Sequence, residues 1–141
     1  MIRKYRKDDI GILLDIWLRA SIEAHDFIAP DFWRSQVNNM RNIYIPASEN
    51  YVYERESKVL GFYSLHENTL AAIFVSPENQ RAGIGKQLMN HAKKQRENIV
   101  LSVYKENEPS FNFYLSQGFT VVSEQIDEHT GRQEYTMSTS I

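Results

Sequence analysis

The stretch SPENQRAGIGKQLMNHAKKQ, Ser76 to Gln95, sets Gly83 and Gly85 at the head of a segment with helical apolar spacing. A glycine inside a helix costs about 1 kcal/mol relative to alanine, so two of them need a reason. Upstream lies the apolar run TLAAIFV, Thr69 to Val75, which reads as a strand, followed by a turn through Ser76-Pro77-Glu78-Asn79. At a helix start the first amide groups lack internal partners and the dipole is positive, so a glycine-rich entry lets a phosphate approach the backbone. A close helix-strand contact would also demand small residues. Two phosphate-binding spellings fail. A P-loop needs glycine at position 80 and Ser or Thr after the lysine, where this chain has Gln80 and Gln87; a dinucleotide fingerprint needs a third glycine where Leu88 stands.

On the N-terminal side, Ile2 to Tyr5 reads as a short strand, and Asp8 or Asp9 is placed to cap a helix whose Ile10, Leu13, Leu14, Trp17 and Ser21 share one face. Pro30 suits the first turn of a second helix that presents Phe32, Trp33, Val37, Met40 and Ile43 and ends at Pro46. NYVYER, KVLGFYSL and TLAAIFV then form an antiparallel meander. After the glycine-led helix, predicted at about 15 to 18 residues, come the strand NIVLSVY, a helix from Glu108 to Gln117, and the strands FTVVSEQI and EYTMSTS flanking a Thr-Gly turn. The pattern predicts one α+β domain, residues 1–141, on a mixed sheet.

Composition narrows the function. With 16 Lys+Arg against 18 Asp+Glu, the net charge of -2 predicts no general affinity for nucleic acid or membrane. The lack of cysteine excludes a disulfide scaffold, a thiolate metal cluster and a cysteine nucleophile. The N-terminus MIRKYRKDDI lacks the apolar run of a signal peptide, and no apolar stretch is long enough to span a bilayer, so a cytoplasmic protein is expected.

The spelling Gln80-x-x-Gly83-x-Gly85, after a strand and at a helix head, resembles the signature of the GCN5-related N-acetyltransferase family. A second segment, NEPSFNFYLSQGF, resembles that family's Asn-x-x-Ala-x-x-x-Tyr-x-x-x-Gly-Phe motif through Asn107, Ser110, Tyr114, Gly118 and Phe119. The resemblance covers essentially the whole chain. It implies a mostly antiparallel sheet of seven strands flanked by four helices and acetyl coenzyme A as acyl donor, with no metal. The acetyl group would pass directly to a primary amine without an acyl-enzyme. A non-catalytic sensor of acyl coenzyme A is the alternative reading, and the oligomeric expectation is monomer or homodimer.

The resemblance assigns roles to particular residues. Gln80, Arg81, Ala82, Gly83, Ile84, Gly85 and Lys86 would cradle the pyrophosphate, with Arg81 and Lys86 adding charge. The strands TLAAIFV and NIVLSVY would splay apart at a bulge, leaving backbone groups of Phe74 and Val75 for the pantetheine arm and the oxyanion. Asn107 and Ser110 would lie against the pantetheine, and Tyr114 would act as general acid toward the departing thiolate. An ordinary phenol, pKa about 10, protonating a thiolate of pKa about 8.5 works uphill by about 2 kcal/mol, so the hydroxyl either has a lowered pKa or mainly hydrogen-bonds the sulfur. Several relatives carry a carboxylate where this chain has Ser102. His25, between Glu23 and Asp26, is therefore the candidate base, with Phe27 and Trp33 as candidate contacts to the acceptor, a small amine, a protein lysine or an N-terminus.

Overall fold

The computed structural model describes residues 1–139. The elements in chain order are β1 (Ile2–Lys4), α1 (Ile10–Ala24), α2 (Pro30–Ser35), β2 (Glu49–Arg55), β3 (Lys58–His66), β4 (Thr69–Val75), α3 (Ile84–Gln95), β5 (Val100–Tyr104), α4 (Glu108–Ser116), β6 (Thr120–Ile126) and β7 (Gln133–Ser138). Among the described residues, seven strands make one sheet in the order β1-β2-β3-β4-β5-β7-β6. Every neighbouring pair is antiparallel except β4 with β5, which is parallel. The expected α+β architecture is therefore present, with its mixed, mostly antiparallel sheet and four helices. Ser140, the last residue of the expected closing strand, and Ile141 lie outside the described residues.

Strand alternation divides the core between the two faces of the sheet. Tyr63, Leu65, Leu101, Val103 and Met137 face one side, where Ile84, Leu88, Met89 and Ala92 of α3 cover them. Val52, Phe62 and Ala72 face the other, beneath Leu13, Leu14, Ile16 and Trp17 of α1 and Trp33 of α2. At the N-terminal edge, the Arg3 guanidinium grips both oxygens of Asp9 at 2.9 and 3.0 Å and reaches Glu54 at 2.7 Å. That hydrogen-bonded guanidinium holds the Asp9 carboxyl below its usual range. Asp9 does not cap α1 as expected, because its carboxylate accepts instead from the Arg6 amide at 2.7 Å.

The expected second helix is broken. After α2, a short helical turn at Val37–Asn39 runs into a π-helical turn, Met40–Tyr44, closed by the Ile45 amide donating to the Met40 carbonyl at 3.0 Å. The wider turn brings Met40 and Ile45 into the core and leaves Ile43, expected inside, 54% exposed. The glycine-led helix is also shorter than predicted, at 12 residues. Its start is fixed by Gly83, whose left-handed φ of 81° makes it the residue before the helix rather than a member of it.

One glycine, Gly61 in β3, is required by close approach. A Cβ there would sit 2.9 Å from the Phe74 carbonyl oxygen and 3.2 Å from a Leu88 methyl. Gly61→Ala is expected to destabilise the fold by about 1–3 kcal/mol through that overlap, read as a lower urea midpoint at unchanged m-value.

Candidate active site

The pairing of β4 with β5 consists of one register pair, Thr69 opposite Val100, while β5 pairs with β7 at five successive positions. Beyond Thr69 the two strands diverge. A bulge lies in β4 on its β3 side, where the register passes from Ser64–Ala72 to Leu65–Leu70 and leaves Ala71 as the extra residue. Bulges bend and twist the strand that carries them, and this one precedes the expected position near Phe74. The Ser76 amide donates to the Leu60 carbonyl at 2.8 Å, so by alternation the polar groups of Phe74 also point toward β3. Phe74 was expected to offer its backbone to the gap. The groups that open there belong to Ile73 and Val75. Consistently, the Val75 carbonyl accepts from the Gln80 side chain, at 3.2 Å, rather than from β3.

The loop between β4 and α3 continues that opening. A 3-10 turn, Pro77–Asn79, leads to Arg81 and Gly83, both left-handed, with φ of 68° and 81°. Alternating left- and right-handed residues turn successive amides toward one side, and such concavities bind anions. The unpaired first amides of α3 extend the same surface. A Cβ at Gly83 would meet nothing within 4 Å, and one at Gly85 would meet only Phe113 and Val75 at ordinary contact distances. Tight helix-strand packing therefore does not explain the two glycines, and at Gly83 the left-handed φ of 81° does. Arg81 and Lys86 are exposed and, among the described residues, have no ion pair. By contrast, Lys93 donates to the Gln117 carbonyl and Arg96 to Glu67 and Glu49, so these bases brace the fold.

Downstream, α4 lies beside the first turn of α3, with Phe113 nearest Gly85. Asn107 is 5% exposed and caps α4, its Oδ1 accepting from the Ser110 amide at 3.4 Å. Tyr114 follows about two turns later, its ring edge-on to Phe113 and Phe119. Its hydroxyl has no hydrogen-bond partner among the described residues, and burial pushes its pKa up to about 12.

Residues 46–121 match the Acetyltransferase (GNAT) domain. The chain is 36% identical over 139 residues to the peptidyl-lysine N-acetyltransferase YiaC of Escherichia coli strain K12, covering 98% of this chain and 95% of that one. The chain belongs to the GNAT acetyltransferase family. It is an acetyl coenzyme A-dependent N-acetyltransferase. It is also 28% identical over 134 residues to peptidyl-lysine N-acetyltransferase YjaB of the same strain, covering 94% of this chain and 85% of that one. The fold agrees with the solution structure of apo-form YjaB from Escherichia coli, at a TM-score of 0.87 and 24% identity, over 99% of this chain and 97% of that chain. It agrees also with the PaiA N-acetyltransferase of Thermoplasma acidophilum in complex with coenzyme A, at a TM-score of 0.84 and 20% identity, over 100% and 98% of the two chains.

In this GNAT domain His25, the base expected in the loop after α1, is withdrawn from solvent. His25 is 8% exposed, stacked on Trp33 at 5.0 Å and edge-on to Phe27 and Tyr104. Its Nε2 accepts from Asn107 Nδ2 at 3.1 Å, and its Nδ1 is buried without a partner. Desolvation lowers its pKa from 6.5 to about 4, leaving a ring that is neutral at pH 7 and too weak to hold an amine's proton. Trp33, expected to contact the acceptor, is buried between His25 and Trp17. Phe27 does line an open cleft of about 220 Å³, together with Ile28, Phe32, His129, Thr130 and Arg132. The cleft joins the loop after α1 to the hairpin between β6 and β7. Arg132 clamps the two, donating to the Phe27 carbonyl at 2.7 Å and pairing with Glu106 at 3.2 Å.

Sequence reasoning missed Glu134. It stands opposite Tyr104 on β7, on the α1 side of the sheet, with Ser102 and Thr136 next along the same row. Burial raises its carboxyl above the usual range. The depressed pKa of His25 has a thermodynamic consequence. The unfolded chain takes up the proton first as pH falls, so this group's contribution to stability is complete above pH 6.5 and is lost between 6.5 and about 4. Wild type is expected to lose up to about 3 kcal/mol more than His25→Gln over that range. Denaturation midpoints at pH 7 and 4.5 check it, and parallel losses in the two proteins would exclude the effect.

Proposed function

We propose that this enzyme acetylates the side-chain amine of a lysine in a polypeptide, with the donor lying in the β4–β5 gap and the acceptor entering from the α1 side. The observation that carries this reading is the single Thr69–Val100 pair, which leaves the backbone edge at Ile73 and Val75 open beside the left-handed Arg81–Gly83 loop. Val75 would hydrogen-bond the pantetheine arm once the Gln80 side chain yields its place, and the Ile73 amide would face the developing oxyanion. The amides from Ala82 to Lys86 would take the pyrophosphate, with Arg81 and Lys86 supplying charge.

The amine nitrogen bonds to the acetyl carbon, the carbon–sulfur bond breaks, and the surplus amine proton must leave. Lysine, with a pKa of about 10.4, requires about 4.6 kcal/mol to present a neutral amine at pH 7. The row Ser102, Thr136 and Glu134 supports proton removal on the acceptor side, with Glu134 as the titratable member. Tyr114 sits on the opposite face, with α3. A hydroxyl near pKa 12 is a poor source of a full proton for a thiolate of about 8.5, a mismatch of about 5 kcal/mol. Its role is to donate a hydrogen bond to the sulfur as charge develops there. The lysine acceptor is further supported by the names of the relatives YiaC and YjaB, both peptidyl-lysine N-acetyltransferases, and by an open cleft with an aromatic wall at Phe27 and Phe32.

Thiol release from acetyl coenzyme A, followed with lysine peptides and with a panel of small amines, tests the proposal. Tyr114→Phe is expected to lower kcat about 100-fold with little change in coenzyme A affinity. Glu134→Gln should lower kcat most below pH 8, recovering as the amine deprotonates by itself. Turnover of small amines but not of peptides would overturn the acceptor, and failure to bind coenzyme A would sink the donor site.

A further inference from the structure

The hydrogen bond between His25 and Asn107 spans 82 residues and joins the loop after α1 to the residue that caps α4. Both side chains are buried, and the geometry fixes their chemistry. Asn107 uses its Oδ1 to accept from the Ser110 amide, so the group it turns toward His25 is the donor Nδ2. The imidazole must then present an unprotonated Nε2 and carry its hydrogen on Nδ1, the atom that is buried without a partner. That unsatisfied Nδ1 carries a desolvation cost which the fold tolerates in exchange for an acceptor at Nε2. The surroundings hold the ring in place: Trp33 stacks on one face, Phe27 and Tyr104 meet it edge-on, and the His25 amide donates to the Ser21 carbonyl at 3.0 Å. Tyr104 is itself anchored through its hydroxyl to Asp127, at 2.5 Å, in the hairpin that forms the far wall of the cleft.

We propose that His25 is a positioning residue that orients the Asn107 amide, and through it the start of α4, so that the acceptor-side loop and the donor-side helix are set by one buried hydrogen bond. Without an acceptor at Nε2, the Asn107 amide is free to turn over and would then oppose its Nδ2 hydrogens to the Ser110 amide, opening the first turn of the helix that carries Tyr114. The inference rests on the donor-site reading above for its effect on catalysis. The hydrogen bond itself does not depend on that reading.

Two substitutions separate the possibilities. His25→Gln keeps an acceptor within reach of Asn107, whereas His25→Phe keeps an aromatic ring on Trp33 and removes it. His25→Phe is expected to weaken coenzyme A binding, measured by calorimetry, and to raise the KM for acetyl coenzyme A, each by about tenfold. His25→Gln should stay within a few-fold of wild type with an unchanged pH-rate profile. In an Asn107→Ser background, where a cap remains but the Nδ2 group that meets His25 is gone, His25→Phe should have no further effect. Loss of kcat in both His25 variants at unchanged KM, with the acidic limb of the profile removed, would make His25 a base and overturn the proposal. Wild-type coenzyme A affinity in His25→Phe would reduce the contact to packing and overturn it as well. Nitrogen NMR of the wild-type imidazole decides the hydrogen bond even if coenzyme A does not bind or a variant does not fold. A protonated Nδ1 and free Nε2 at pH 7 is expected, and the opposite tautomer overturns the assignment.

Discussion

The separation of β4 from β5 is the constraint on which the rest of the molecule depends. A parallel pair inside a sheet would normally satisfy its backbone groups along its whole length, and here it does so at Thr69 and Val100 alone. The bulge at Ala71 twists β4, while β7 and the Asn68–Val100 bond hold β5, so the two strands cannot remain parallel neighbours. What results is an exposed hydrogen-bonding edge in the middle of the domain, at the C-terminal end of β4. The loop that leaves β4 begins there, and its left-handed Arg81 and Gly83 carry the line of free amides into the head of α3.

The two faces of the sheet divide the chemistry. On the α3 side, Tyr114 stands among apolar residues that raise its pKa, which suits a hydrogen-bond donor more than a proton source. On the α1 side lie the polar row of Ser102, Thr136 and Glu134 and the open cleft beside Arg132. The gap is the place where the two sides meet. The packing that makes it possible is local and tight: Gly61 admits β4 and Leu88 to distances that no side chain at position 61 would allow.

Much of this was legible in the sequence because it is written in local spacing. Gly83 and Gly85 behind a strand, and Asn107, Tyr114 and Gly118 before, in and after a short helix, are features of neighbouring residues, and the elements form about where these patterns place them. The failures have equally physical causes. The second helix was expected to run without interruption to Pro46, but a π turn at Met40–Tyr44 changed which residues faced inward, and Ile43 came out. Phe74 and Val75 are adjacent in sequence yet their backbones point to opposite sides, and only the bond from Ser76 to Leu60 tells which side is the gap. Glu134 and Arg132 carried no signal, since their neighbours Tyr104, Glu106 and Phe27 lie far away along the chain.

By itself the sequence determined the order of the elements, because periodicity over a few residues sets each one, and its two motif spellings carried the family resemblance that implies the acetyl donor. Only the tertiary structure decided the surroundings of His25. From the chain alone it was a histidine between two acidic residues in a loop, suited to proton transfer. Packing against Trp33 removed it from water, lowered its pKa to about 4 and turned its Nε2 toward Asn107. Burial and a partner 82 residues away are long-range facts, and they set the protonation state on which a side chain's role depends.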